Sequence, residues 1–186
     1  MKCLTCETIE LQSTQLTLGP LTYQCEHCKG HWVSSTDYWS WMEKQGTILP
    51  EKPASGEVTL PVTDEKTKRA KICPECDHIL IKYKVGHETD VILDHCHSCG
   101  GVWFEQREWD VLQDRNLHDE VYKIFTRSWQ QQVRQEEAKK HFQSFYAQKF
   151  GAQDYAEIRR IKQWIVQHPQ RVTLIAYLND ENPYIA

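Results

Sequence analysis

Apolar and polar residues follow two different rhythms along this chain. Up to about residue 113 the hydrophobic positions come in short, strand-like runs broken by turn residues; beyond it they recur every three or four positions. Leu16-Thr17-Leu18 and Leu21-Thr22-Tyr23, set around Gly19-Pro20, predict one hairpin. Ile79 to Val85 with Val91-Ile92-Leu93 predict a second. Each hairpin is followed by a short predicted helix. The first runs from Thr36 to Gln45, with Ser34 or Ser35 as N-cap and Gly46 ending it. The second opens at Glu105 or Gln106 and carries Glu108, Trp109, Val111 and Leu112. Between them, residues 49–71 read as a linker punctuated by Pro50, Pro53, Gly56 and Pro61, in which Val58-Thr59-Leu60 could add an edge strand.

Past Asp114 the stripe Leu117, Val121, Ile124/Phe125, Trp129 and Val133 has helical spacing, and it resumes with Phe142, Phe145, Tyr146 and Phe150. Uninterrupted, such a helix would be about 50 Å long. It is therefore expected to break near Glu136-Glu137 or to find a partner, and Gly151 ends it. Asp154 to Gln167 predicts a further helix with Ile158, Ile161 and Ile165 on one face, closed by Pro169. Val172, Ile175, Ala176 and Leu178 fit a last helix, although the β-branched Val172-Thr173-Leu174-Ile175 leaves a strand as the alternative; Asn182-Pro183 stops it.

The chemistry lies in the cysteines. All eight fall in C-x-x-C pairs: Cys3/Cys6, Cys25/Cys28, Cys73/Cys76 and Cys96/Cys99. The first two pairs are separated by 18 intervening residues and the last two by 19. A C-x-x-C turn offers two thiolates from one side, and a hairpin brings the second turn opposite, so each half of the set predicts one tetrahedral four-cysteine zinc site. Disulfides would suit a secreted chain, but no hydrophobic leader is visible and a predicted ligand sits at position 3. No pair stands at a helix start in a βαβ context, as a thioredoxin-like redox role requires. Iron sites share the ligand set, and zinc is favoured over them. His27, His31, His95 and His97 are expected in the turns rather than on the metal, and four thiolates leave no open position for hydrolytic chemistry.

The two cysteine sets are copies of one unit, offset by 70 to 71 residues. Gly30 and Gly101 coincide, as do Trp32 and Trp103, each four residues past the final ligand. A glycine suits a tight metal knuckle, and a ribbon too small for a proper core needs a large ring over its zinc hairpin. Cys73-Pro74-Glu75-Cys76, followed by Cys96-His97-Ser98-Cys99-Gly100-Gly101-Val102-Trp103-Phe104-Glu105 and Glu108, resembles the bacterial transcription factor IIB-type zinc-ribbon family over roughly residues 72–113. The first copy departs from that pattern with Leu4, Lys29 and Asp37 where the family has Pro, Gly and Glu. The resemblance implies the ribbon fold and its zinc, not a role in transcription.

Composition narrows the function. The chain has 186 residues and a formal net charge of -4, and no apolar run approaches the roughly 18 residues of a membrane span. Residues 1–50 hold 3 basic and 5 acidic side chains and residues 73–113 hold 3 and 8, so the ribbons repel phosphate, the more so with anionic tetrathiolate centres. Basic groups cluster in Lys66–Lys71 and in Arg159, Arg160, Lys162 and Arg171, for which solvated surface is the default and nucleic-acid contact the sharper alternative. No G-x-S-x-G, P-loop or H-E-x-x-H is present.

The expected architecture is a small zinc-stabilised α+β protein: ribbon 1 with its helix at 1–48, a linker at 49–71, ribbon 2 with its helix at 72–113 and a mainly α-helical region at 114–186. The expected function is that of a cytoplasmic, non-catalytic adaptor. It would carry two Zn2+ on Cys3, Cys6, Cys25, Cys28, Cys73, Cys76, Cys96 and Cys99 and bind a protein partner, with self-association through the long helix one form of this. The alternative is a nucleic-acid-binding regulator acting through the basic C-terminal helix.

Overall fold

The computed structural model describes residues 1–46, 48–53, 60, 69–86 and 89–181. The chain divides into two compact units, Met1–Arg134 and Gln135–Ala186. In the first, β1 (Gln12–Gln15), β2 (Leu21–Gln24), β3 (His31–Val33) and α1 (Ser35–Gln45) make the first ribbon; β4 (Ile81–Gly86), β5 (Thr89–His95), β6 (Val102–Phe104) and α2 (Glu108–Asp114) make the second. A short α3 (Val121–Ile124) follows, then α4 (Arg127–Phe150), α5 (Ala152–Gln167) and α6 (Arg171–Asn179).

The two ribbons share one six-stranded antiparallel sheet in the order β1-β2-β3-β6-β5-β4. Its central seam joins β3 to β6 with His31 opposite Phe104, Trp32 opposite Trp103 and Val33 opposite Val102. Because Trp32 and Trp103 hold equivalent places in the repeat, the ribbons meet about a pseudo-twofold axis at the tryptophan pair. On one side of the sheet Val33, Phe104, Trp109, Leu112, Leu117 and Ile124 belong to a single buried cluster. Both tryptophans and four of the cysteines form a second.

The local signals for α1 act as expected. Ser34, in extended backbone, accepts the Asp37 N–H at 3.0 Å and donates to its carboxylate at 2.6 Å, and Gly46 takes φ 76° at the other end. In the second ribbon Glu108 stands at the equivalent of Asp37, and its carboxyl accepts the Glu105 N–H at 2.8 Å.

Several expectations are corrected. β1 is the wholly polar Gln12–Gln15, not Leu16–Leu18. An edge strand needs no apolar alternation, whereas Leu16 to Gly19 turn sharply, with Leu18 at φ 49° and the Gly19 N–H bonded to the Leu16 carbonyl at 3.0 Å. The strands β3 and β6, three residues each, were too short to carry a period. The long helix does not break at Glu136-Glu137; α4 runs through both, and the interruption lies at Phe125-Thr126. There the Thr126 hydroxyl donates to the Lys123 carbonyl at 2.6 Å, closing α3, and accepts the Trp129 N–H at 3.4 Å, opening α4. Residues 171–179 form the last helix expected, not the alternative strand. Val58 and Thr59 lie outside the described residues.

Candidate metal centres

Each ribbon brings two turns together. The Cys3–Cys6 and Cys73–Cys76 turns each reverse through a left-handed residue, Glu7 at φ 62° and Asp77 at φ 59°. The second turns use Lys29 at φ 58° and Gly100 at φ 79°, so the lysine in the first copy accepts the conformation that glycine supplies in the second. Backbone bonds pin these knuckles, with the Cys25 N–H on the Gly30 carbonyl and the Cys96 N–H on the Gly101 carbonyl, both at 2.9 Å.

The result is two groups, Cys3/Cys6/Cys25/Cys28 and Cys73/Cys76/Cys96/Cys99, in each of which all sulfurs lie within 4.8 Å of one another. Zn–S bonds of about 2.3 Å place tetrahedral corners about 3.8 Å apart. The pairs Cys3–Cys28 and Cys73–Cys99 stand at 3.5 Å, Cys76–Cys96 at 3.4 Å and Cys6–Cys25 at 3.9 Å. All eight thiols are free, and these separations are far beyond the S–S bond of about 2.05 Å. Each group can hold one zinc ion.

Ionisation argues the same way. The Cys28 thiol donating to Cys3 holds that sulfur well below the usual thiol range, at about 5, against the opposing effect of burial. Burial pushes Cys76 up, but the His78 N–H and the Cys96 thiol outweigh it and bring it down to about 6. The partners resist: burial raises Cys6 and Cys73 to about 11, and Cys28 and Cys99 lie higher still. Thiols must ionise to bind a metal, and a divalent cation would offset the crowding of the charges this creates. When bound, zinc would supply a structural crosslink. Four thiolate ligands fill its coordination shell.

Neither sulfur group includes a histidine, although His27 hydrogen-bonds one of the sulfurs. His27 Nδ1 lies 3.5 Å from the Cys6 sulfur, and His95 stacks flat on Phe125 with ring centres 4.0 Å apart. Burial lowers both His31 and His95 to about 4.

Around the sulfurs, the tryptophans cross over. Each was expected to cover its own zinc hairpin, but Trp32 lies on Gly101 and Trp103 on Gly30. A Cβ built on Gly101 would stand 2.0 Å from the Trp32 ring, and one on Gly30 would stand 2.3 Å from the Trp103 ring. Trp32 Nε1 donates to Glu75 inside the opposite knuckle at 2.9 Å. Thr5, the counterpart of Glu75, instead donates to Glu105 at 3.2 Å, and Trp103 Nε1 is buried without a hydrogen-bond partner among the described residues. Sequence reasoning picked out the glycines and tryptophans but missed Glu75 and Thr5, whose roles depend on which ribbon faces which.

The basic candidates separate. Lys66 and Lys68 lie outside the described residues, while Lys71 is 2% exposed, bonded to Asp94 at 2.7 Å and to Glu105 at 2.9 Å. Lys71 is thereby a structural cation. Arg159, Arg160, Lys162 and Arg171 are exposed, with Arg160 paired to Glu157 at 2.6 Å.

Among the described residues no helix is long and apolar enough to cross a membrane. Residues 72–115 match the family model described as transcription factor zinc-finger, the TFIIB-type zinc ribbon. No curated protein and no solved structure matches the chain.

Proposed function

We propose that this protein is a non-catalytic adaptor in which two zinc ions, held by the eight cysteines, fix the ribbon pair, and residues 135–181 bind a protein partner. One observation carries the reading: from Gln135 to Glu181 no residue is buried. Phe142 is 60% exposed, Trp164 54% and Leu178 63%. Helices of 16 and 9 residues are marginal alone in water, and large apolar side chains left in contact with it favour a partner that covers them.

The kind of partner follows from the groove between α4 and α5. It encloses about 680 Å3 and is floored by Phe142, Tyr146, Phe150, Tyr155 and Ile158. Lys139, Arg159 and Lys162 also line it, and among the described residues no carboxylate does. An apolar trough with cationic edges fits an amphipathic helix with acidic flanks. A second copy of this chain is the competing occupant, but α6 would bring Arg171 to those cations and carries a carboxylate, Asp180, only at its C-cap. Single-stranded nucleic acid is the other reading, favoured by aromatic rings beside Arg159 and Lys162.

Fluorescence anisotropy separates the three. The probes are a labelled Leu/Glu amphipathic helical peptide, the same peptide with Lys for Glu, and a labelled oligothymidine. The acidic peptide is expected to bind at least about tenfold more tightly than the basic one. R159E/K162E is expected to reverse the preference, and Ile158→Asp to abolish binding. Equal binding of both peptides, or tighter and steeply salt-dependent binding of the oligonucleotide, would remove this reading. A dimer in sedimentation that R159E/K162E leaves intact and that excludes both peptides would assign the groove to a second copy.

A further inference from the structure

We propose that the two metal centres load as a coupled pair, each zinc raising the affinity of the other site, with Trp32 and Trp103 as the positioning residues that carry the coupling. The proposal rests on contacts within residues 1–134 and is independent of any partner.

The knuckle glycine of each sulfur set is the floor on which the other ribbon's tryptophan lies. Gly30 is two residues past Cys28, and Gly101 two past Cys99. A Cβ on either glycine would stand only 2.3 Å or 2.0 Å from the facing ring, so each ring rests on the glycine backbone with no space to spare. Both rings are fully buried. They share one apolar cluster with Cys3, Cys25, Cys73 and Cys96, two sulfurs from each set. Trp32 is further tied through Nε1 to Glu75, which lies between Cys73 and Cys76. On the other side Thr5, between Cys3 and Cys6, is tied to Glu105, one residue past β6.

Consider the first metal absent. The Cys25–Gly30 turn loses its crosslink, and the surface that holds Trp103 loosens. Trp103 stands in β6, three residues from Gly100 and four from Cys99, so its freedom passes to the second sulfur set. By the pseudo-twofold axis the same chain of contacts runs from the second set through Trp32 to the first. Linkage makes the effect reciprocal: whatever factor one zinc gains from the other, the other gains from it. Couplings of this kind are roughly 5- to 150-fold, and two contacts this close, on fully buried rings, place the expected factor at about tenfold or more.

Native mass spectrometry of the full chain, titrated with Zn2+ from the reduced metal-free state, reads this directly. At half saturation, independent equal sites leave about half of the molecules with one zinc, and unequal sites leave more. A tenfold coupling reduces the one-zinc form to about a quarter. The expected spectrum is therefore dominated by metal-free and two-zinc protein, with one-zinc protein at a quarter or less; a larger share overturns the proposal. Trp32→Leu removes the ring from Gly101 and the bond to Glu75 while leaving all eight cysteines. It is expected to take up two zinc ions with the one-zinc share raised towards half. An unchanged distribution in that variant would show that the tryptophans do not carry the coupling.

Discussion

At the scale of single residues, Glu108 is a carboxyl in surroundings that disfavour its charged form. It is 6% exposed, and burial pushes its carboxyl up to about 8, while the Glu105 N–H it accepts works in the opposite direction. Asp94 and Glu105 add to the rise. Between an unfolded value near 4.5 and a folded value near 8, the native protein keeps a proton that the unfolded chain releases. Stability is thus expected to fall as pH rises through that window, by at most about 1.4 kcal/mol per pH unit, and to level off above it. Glu108→Gln keeps the acceptor for Glu105 and cannot ionise. Zinc-loaded E108Q should show a flatter stability profile from pH 6 to 9 in urea denaturation, and a slope equal to that of the parent would refute the assignment.

At the scale of elements, the first turns of α4 lie against the edge strand β4. Trp129 Nε1 donates to the Val85 carbonyl and Gln130 Nε2 to the Lys84 carbonyl, both at 2.8 Å, and Val133 packs on Gly86. The strap covers part of an edge that would otherwise offer unpaired carbonyls. Trp129→Phe keeps most of the packing but orphans the Val85 carbonyl. We expect a loss of about 1–3 kcal/mol in zinc-loaded protein, with faster hydrogen exchange in β4 and β5; unaltered exchange there would mean that the strap does not hold the edge. None of this was visible in sequence, because a helix stripe shows which face is apolar and not which strand receives it. The cysteine groups were legible because the C-x-x-C spacing and the hairpin between pairs are local. The Thr126 break was hidden by an apolar stripe that continues across it, from Ile124/Phe125 to Trp129. The seam between β3 and β6 was hidden for a different reason: two equivalent three-residue strands carry no sign that they pair with each other.

At the scale of the whole molecule, the two units differ in what holds them. Residues 1–134 have a hydrophobic cluster, a continuous sheet and two sulfur sets, whereas residues 135–181 have helices with no buried residue. Structural zinc sites contribute roughly 10–16 kcal/mol apparent, more than a ribbon's burial supplies. A strong chelator is therefore expected to abolish the near-ultraviolet dichroism of the packed tryptophans and the exchange protection of the sheet. Residues 135–181 should exchange fast before and after chelation. A sheet that stays protected after verified metal loss would show that the apolar clusters suffice without zinc.

The pairing of Trp32 with Trp103 has a consequence for how such a chain can vary. Two ribbons that meet about a twofold axis are arranged as separate identical subunits would be, but here they are joined through one chain. Tethering replaces a concentration-dependent association by an intramolecular one, at an effective concentration of the order of millimolar for a short linker, so the pair should persist at any dilution. It also lifts the restriction that a symmetric assembly places on its sequence. In identical subunits every substitution occurs twice; in this chain Thr5 stands opposite the role of Glu75, and Lys29 opposite that of Gly100. Each half is free to drift where its copy cannot.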